Sequence, residues 1–209
     1  MKFVIYLHGF NSSPESIKAQ LTKKYFEDSV PEIRLIMPKL PPAPLDAIAS
    51  VEALIESLEE GQLVGFIGSS LGAYYSLALL ARYYVANPSI KAVLINPAFK
   101  PYDLLLDYLG PNTNYYTDEC YEVLPSHMDD LKSLALSDFD RQRMVSPKSV
   151  LLLTQTGDEV LDYQEAVENL SGAKMWIQFG GDHSFENYEA VIPLAQSFLS
   201  SSNELLDNK

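Results

Sequence analysis

The sequence predicts a layered α/β fold: a mainly parallel central sheet of about six strands with helices on both faces. Three observations carry that expectation. Short apolar runs recur along the chain, helix-periodic stretches lie between most of them, and one such stretch is apolar almost all round, as befits a helix buried in the middle of a layered fold. The length of 209 residues, 47% of them hydrophobic and 21% charged, suits one domain with a sizeable core.

Residues 3–7 are apolar and aromatic, too short for a helix, and end at His8-Gly9, which reads as a buried strand. Ser13 and Pro14 then serve as N-cap and first residue of a helix carrying Ile17, Leu21 and Tyr25 on one stripe. Residues 33–37 give a second strand. The Pro-rich KLPPAP leads into a helix whose Leu45, Ile48, Val51, Ile55 and Leu58 face the sheet, while Glu52, Glu56, Glu59 and Glu60 face water. Residues 63–67 form the third strand, and 71–86, LGAYYSLALLARYYVA, the central helix. After a strand at 92–95 the alternation stops. Residues 98–147 are expected to form an insertion or lid with Tyr102, Tyr108, Tyr115, Tyr116 and Tyr121 but no clear strand, serving as pocket wall or as extra core cover. Strands at 150–154 and 175–179, with a helix starting near Leu161 between them, complete the sheet. The last helical pattern, Tyr188, Ile192, Ala195 and Leu199, contains Pro193, which costs about 3 kcal/mol inside a helix and so implies a kink or two short helices. Residues 1–200 thus read as a single domain and 201–209 as a flexible tail.

Charge narrows the function classes. Fifteen Lys and Arg against 28 Asp and Glu leave a net charge of -13, which argues against nucleic-acid and anionic-membrane partners. Cys120, the one cysteine, cannot form an internal disulfide, and no Cys/His cluster has metal-ligand spacing, so neither metal nor cofactor is expected. The opening MKFVIYLHGF fits neither a signal peptide nor a membrane helix, and the expected compartment is the cytoplasm. Oligomeric state has no signal in the sequence.

The informative motif is Gly68-Ser69-Ser70-Leu71-Gly72, a G-x-S-x-G directly after the third strand and opening the central helix. A serine on that sharp turn needs small residues two before and two after it, because the backbone passes too close for side chains, and its Oγ then projects above the sheet. A hydroxyl is a poor nucleophile unless a positioned base takes its proton, and histidine is the usual base. His183, in GGDHSF after the last strand, sits on a glycine-flexed loop at the same sheet edge as Ser70, where open α/β sheets gather their chemistry. His127 reads as a surface or lid histidine, and His8 as a satisfied strand end. Asp158, one turn past the strand at 150–154, is the best-placed acceptor to orient His183. Glu159 is expected to point the other way, Asp162 to lie in the helix, and Asp182 to adjoin His183 too closely. The backbone N–H groups of Leu71 and Phe10 would form an oxyanion hole, in which one donor contributes about 3 to 4 kcal/mol of barrier lowering.

The order Ser70, Asp158, His183 is that of the α/β-hydrolases. The chain resembles that superfamily and, within it, the YqiA-type bacterial esterase family, through YLHGFNSSPESIKA (6–19), GSSLGAYY (68–75), NPAFKPYDLLLDYLG (96–110), TGDEVLDY (156–163) and GGDHSF (180–185). The resemblance implies a compact α/β-hydrolase fold, Ser70 as nucleophile, Asp158 as acid, His183 as base, and hydrolysis of small-molecule acyl esters or thioesters through an acyl-enzyme. Ala73 stands where a glycine often follows the serine turn, and Asp182 where asparagine can precede the histidine. Two other readings fit the same residues: a hydrolase-like binding module for a small acyl ligand or a protein partner, and a triad that cleaves amide or C–C bonds.

Overall fold

The computed structural model describes residues 1–201. Six parallel strands, β1 (Lys2–Leu7), β2 (Ile33–Ile36), β3 (Leu63–Ser69), β4 (Lys91–Ile95), β7 (Val150–Gln155) and β8 (Lys174–Gln178), form one sheet in the order β2-β1-β3-β4-β7-β8. The helices between them are α1 (Ile17–Ser29), α2 (Pro44–Glu56), α3 (Leu71–Tyr83) and α7 (Tyr163–Asn169), and the chain ends in a 3₁₀ turn (Tyr188–Val191) followed by α8 (Ile192–Ser200).

Burial explains why these strands read as near-continuous apolar runs. Every residue of β4 and of β7 is buried, because helices cover both faces of a parallel sheet. On one face Leu7, Phe66, Leu94 and Leu152 pack with Ile48 and Val51 of α2 and Leu77 and Leu80 of α3. On the other, Val4, Ile67, Val93 and Leu153 pack with Phe26 of α1 and Ile192, Phe198 and Leu199 of α8. Lys91 opens β4 in this apolar setting, and burial lowers the pKa of its ammonium. Its Nζ donates to the Phe198 carbonyl at 2.9 Å and the Ser201 Oγ at 2.7 Å, capping the C-terminal end of α8.

The strand order places a switch point at β1 and β3: from β1 the chain moves out to β2, then returns to β3 and continues through β4, β7 and β8 on the other side. Loops leaving the carboxyl ends of β1 and β3 therefore diverge and open a crevice between them.

Several expectations are corrected. The first helix starts at Ile17 rather than at Ser13-Pro14, since the Ser13 Oγ accepts the Glu15 N–H at 3.0 Å and so closes a turn ahead of the helix. Its buried stripe is Ala19, Thr22 and Phe26, leaving Ile17 70% exposed. The segment 98–147 contains a two-stranded antiparallel hairpin, β5 (Gly110–Thr113) with β6 (Cys120–Val123), where no strand was expected. It also holds α4 (Pro101–Leu104), a 3₁₀ turn (Leu105–Tyr108), α5 (Pro125–Ser133) and α6 (Asp138–Met144). Its Leu105, Met128, Leu131 and Met144 are buried in the same apolar cluster as α3, so part of it is core cover. The central helix stops at Tyr83, short of residue 86. The strand at β8 is an edge, with Trp176 and Ile177 exposed. Pro193 lies in the first turn of α8, where the missing N–H costs nothing, so the chain takes the route of two short helices. Of the expected flexible tail 201–209, all but Ser201 lies outside the described residues.

Candidate active site

Ser70 stands between β3 and α3, at the N-cap of the helix, with φ 55° and ψ -117°, a conformation L side chains rarely adopt. The turn is possible because its neighbours lack side chains. A Cβ on Gly68 would stand 2.4 Å from the Gly72 carbonyl oxygen, and one on Gly72 would stand 2.0 Å from the Leu7 carbonyl oxygen. The turn is pinned by the Ser70 N–H donating to Ile95 O at 3.0 Å and by the Ala73 N–H donating to Ser70 O at 3.0 Å. Ser69, outside the motif spacing, is buried.

His183 comes to Ser70 from the loop after β8, with its Nε2 3.1 Å from the Ser70 Oγ. Its Nδ1 lies 3.0 Å from Asp158 Oδ1 and 2.9 Å from Oδ2. With Nδ1 as the donor to this carboxylate, Nε2 is left as the acceptor facing the serine. The Asp158 side chain is 2% exposed, and its Oδ1 also accepts the Val160 N–H at 2.9 Å and the Leu161 N–H at 2.8 Å, which fixes the carboxylate's orientation. Asp162 is the N-cap of α7 rather than a residue inside it, its carboxylate accepting the Gln164 N–H at 2.9 Å. Glu159, expected to point away, instead accepts the His183 backbone N–H on its Oε2 at 3.0 Å.

Two buried amides hold the histidine loop. Asn96, just past β4 with φ 39°, donates from Nδ2 to the Asp182 carbonyl at 3.1 Å and the His183 carbonyl at 3.2 Å, and its Oδ1 accepts the Gln155 N–H at 3.1 Å. Gln155, at the end of β7, accepts the N–H groups of Asp182 at 3.0 Å and Glu186 at 2.8 Å, and donates to Glu186 O at 2.7 Å. Gly157 lets the Asp158 turn meet this loop, for a Cβ there would lie 2.4 Å from Gly181 O. Sequence reasoning missed both amides; a polar residue directly closing an apolar strand was the available signal.

The first strand's loop completes the site. Gly9 runs against the serine turn, a Cβ on it falling 3.8 Å from the Ser70 Oγ, and Phe10 and Leu71, the first residue of α3, line one cavity. His8 is buried, its Nδ1 lies 3.0 Å from Gly9 O, and its Nε2 accepts the Leu40 N–H at 3.2 Å. The second bond makes it the neutral tautomer protonated on Nδ1, and burial pulls its pKa below the usual 6.5. His127, expected at the surface or on a lid, is buried in the first turn of α5, where its Nδ1 accepts the Leu124 N–H at 3.3 Å.

A cavity of about 590 Å³ opens beside Ser70 and His183, between the His8–Ser12 segment, α1 and Tyr115 and Tyr116 of the insertion. A smaller one, about 210 Å³, lies across the same segment against Phe10, Leu40, Pro41, Leu71, Tyr75 and Tyr121. The two cavities share the His8–Ser12 segment as a wall, and Ser70 and His183 line the larger one. Among the described residues, no group of three or more His, Cys, Asp or Glu is gathered as for a metal, and no helix is long and apolar enough to cross a membrane.

A family model described as an uncharacterised protein family, UPF0227, matches residues 3–200. Among solved structures, Est1E from Butyrivibrio proteoclasticus aligns with a TM-score of 0.71 at 12% identity, covering 96% of this chain and 89% of that one. Alpha/beta hydrolase domain-containing protein 10 from mouse aligns at 0.67 and 16% identity, covering 94% and 89%. The esterase domain of a Rhodothermus marinus protein aligns at 0.67 and 15%, covering 94% and 86%. At these identities the likeness shows a shared fold, that of the α/β-hydrolases.

Proposed function

The chain belongs to the UPF0227 family, and from that premise and the site's geometry we propose that it is a serine esterase hydrolysing acyl esters or thioesters through an acyl-enzyme. The observation that carries this reading is the continuous line of hydrogen bonds: Asp158 to His183 Nδ1 at 2.9 Å, and His183 Nε2 to Ser70 Oγ at 3.1 Å.

In the proposed reaction Ser70 Oγ attacks the carbonyl carbon while His183 Nε2 takes its proton. The oxygen that gains charge is received by the N–H groups of Leu71 and Phe10. His183 then gives the proton to the departing alcohol or thiol, leaving Ser70 acylated. Water, deprotonated by His183, attacks the acyl carbon, and the proton returns to the Ser70 Oγ as the acid leaves. Asp158 keeps the Nδ1 proton in place and offsets the charge on the imidazolium. The strained φ of Ser70 and the 2% exposure of Asp158 favour this reading over a binding module, which requires neither.

The test is turnover of 4-nitrophenyl esters of increasing acyl length. Wild type is expected to hydrolyse at least one of them, with Ser70→Ala slowed on the order of 10⁶-fold while circular dichroism shows an unchanged fold. Undiminished turnover by Ser70→Ala would overturn the assignment.

A further inference from the structure

Two polar side chains of the larger cavity take no part in the reaction proposed above. Lys18, on α1, lines it, and its Nζ donates to Ser184 O at 3.2 Å and His183 O at 3.5 Å, which leaves one of the three ammonium N–H groups over. Tyr6, on β1, lines the same cavity and is only 1% exposed, yet its hydroxyl has no hydrogen-bond partner among the described residues. The neighbouring Tyr188 hydroxyl, by contrast, is tied to Thr22 Oγ1 at 2.9 Å. The Tyr6 hydroxyl keeps surface open to the cavity and is free to donate there, and a cation lining the same cavity as Ser70 stands out in a chain of net charge -13.

We propose that this cavity receives an anionic group of the substrate, a carboxylate or a phosphate, held by the Lys18 ammonium and the Tyr6 hydroxyl, so that the preferred esters or thioesters are charged close to the scissile bond. The inference rests on Ser70 being the nucleophile. The acidic groups nearby do not fill the position. Asp158 is engaged by His183 and by the Val160 and Leu161 amides, the Asp182 side chain lies on an exposed residue, and Glu189 stands at the cavity wall on an exposed residue. Burial lowers the Lys18 pKa to about 8, against the opposing pull of Asp158 and Asp182, so the cation is present at neutral pH and lost in mild alkali.

The charge can sit on the acyl or the alcohol half, and two ester pairs separate these. One pair compares 4-nitrophenyl hydrogen adipate with 4-nitrophenyl hexanoate; the other compares 3-carboxyphenyl hexanoate with phenyl hexanoate. Wild type is expected to favour the charged member of one pair by about tenfold or more in kcat/KM, with the preference declining above pH 8. Lys18→Gln keeps a donor for the two carbonyls but no charge, and is expected to bring that ratio to one or below. Lys18→Arg should keep it, and Tyr6→Phe should lower it several-fold. A ratio near one in wild type, or one untouched by Lys18→Gln because both esters slow equally, would overturn the proposal. If wild type shows no such preference yet Ser70 still reacts with an active-serine probe, only the substrate class fails; if Ser70 is inert as well, the esterase reading fails with it.

Discussion

The loops that carry Ser70, Asp158 and His183 and the segment 98–147 that lies against them are held in different ways. Beneath the loops, Asn96 and Gln155 are almost fully buried, and each spends its whole side chain on backbone groups of neighbouring turns, with glycines where the chain passes too close for a Cβ. The hairpin of the insertion is tied to the His8–Ser12 segment by three bonds: Tyr115 N–H to Asn11 O at 3.1 Å, Asn114 Nδ2 to Ser12 O at 2.7 Å, and the Tyr121 hydroxyl to Asn11 Oδ1. A surface ion pair, Lys39 with Glu119 at 2.6 Å, adds little, because both side chains are at least half exposed. The atoms proposed to react thus rest on buried, over-determined turns, whereas the wall of the proposed binding space rests on a few half-exposed contacts. Changes below should cost rate and stability together, and changes above should alter binding at little cost to the fold.

Asp158→Asn breaks the first half of that contrast most severely. It leaves the shape but removes the charge that fixes the His183 tautomer, and the expected fall in kcat is on the order of 10⁴-fold, measured with the best ester found. Asn96→Ala should come next, because it strips the Gln155 N–H and two carbonyls of their partner and places alanine at φ 39°. The expected loss is about 3 kcal/mol in urea unfolding, with kcat down by roughly 10- to 100-fold. Tyr121→Phe removes only the bond to Asn11, and should cost about 1 kcal/mol while raising KM a few-fold with kcat unchanged within about twofold. An equal fall in kcat for Tyr121→Phe and Asn96→Ala would erase the distinction between the two regions.

The smallest effect concerns His8. Its pKa is below 6.5 in the folded protein, so as pH falls below 6.5 the unfolded chain takes up the proton first and stability declines. Denaturant melts from pH 7 to 5 should show that decline in wild type and less of it in His8→Gln.

The serine turn was legible in the sequence because its constraint is local: a serine between two glycines, after an apolar run and before a helix, permits few other backbones. The pairing of Asp158 with His183 was legible from position at strand ends. The roles of Asn96, Gln155 and Glu159 were not, since each acts on a backbone group at least 24 residues away and leaves no periodic trace. The hairpin was hidden because Gly110-Pro111-Asn112-Thr113 has the composition of a turn; it pairs as an isolated two-stranded ribbon with alternating exposure, outside the main sheet. The helix α1 was misphased by one stripe because its buried face uses Ala19 and Thr22, whose Oγ1 meets the Tyr188 hydroxyl, rather than large aliphatic residues.

The central claim, that Ser70 is an activated nucleophile, is tested most directly by treating the protein with a fluorophosphonate and locating the adduct by peptide mass spectrometry. One adduct is predicted, on Ser70, absent from Ser70→Ala and forming far more slowly in a folded His183→Ala. No adduct on folded wild type, or labelling of Ser70 that His183→Ala leaves unchanged, would contradict it.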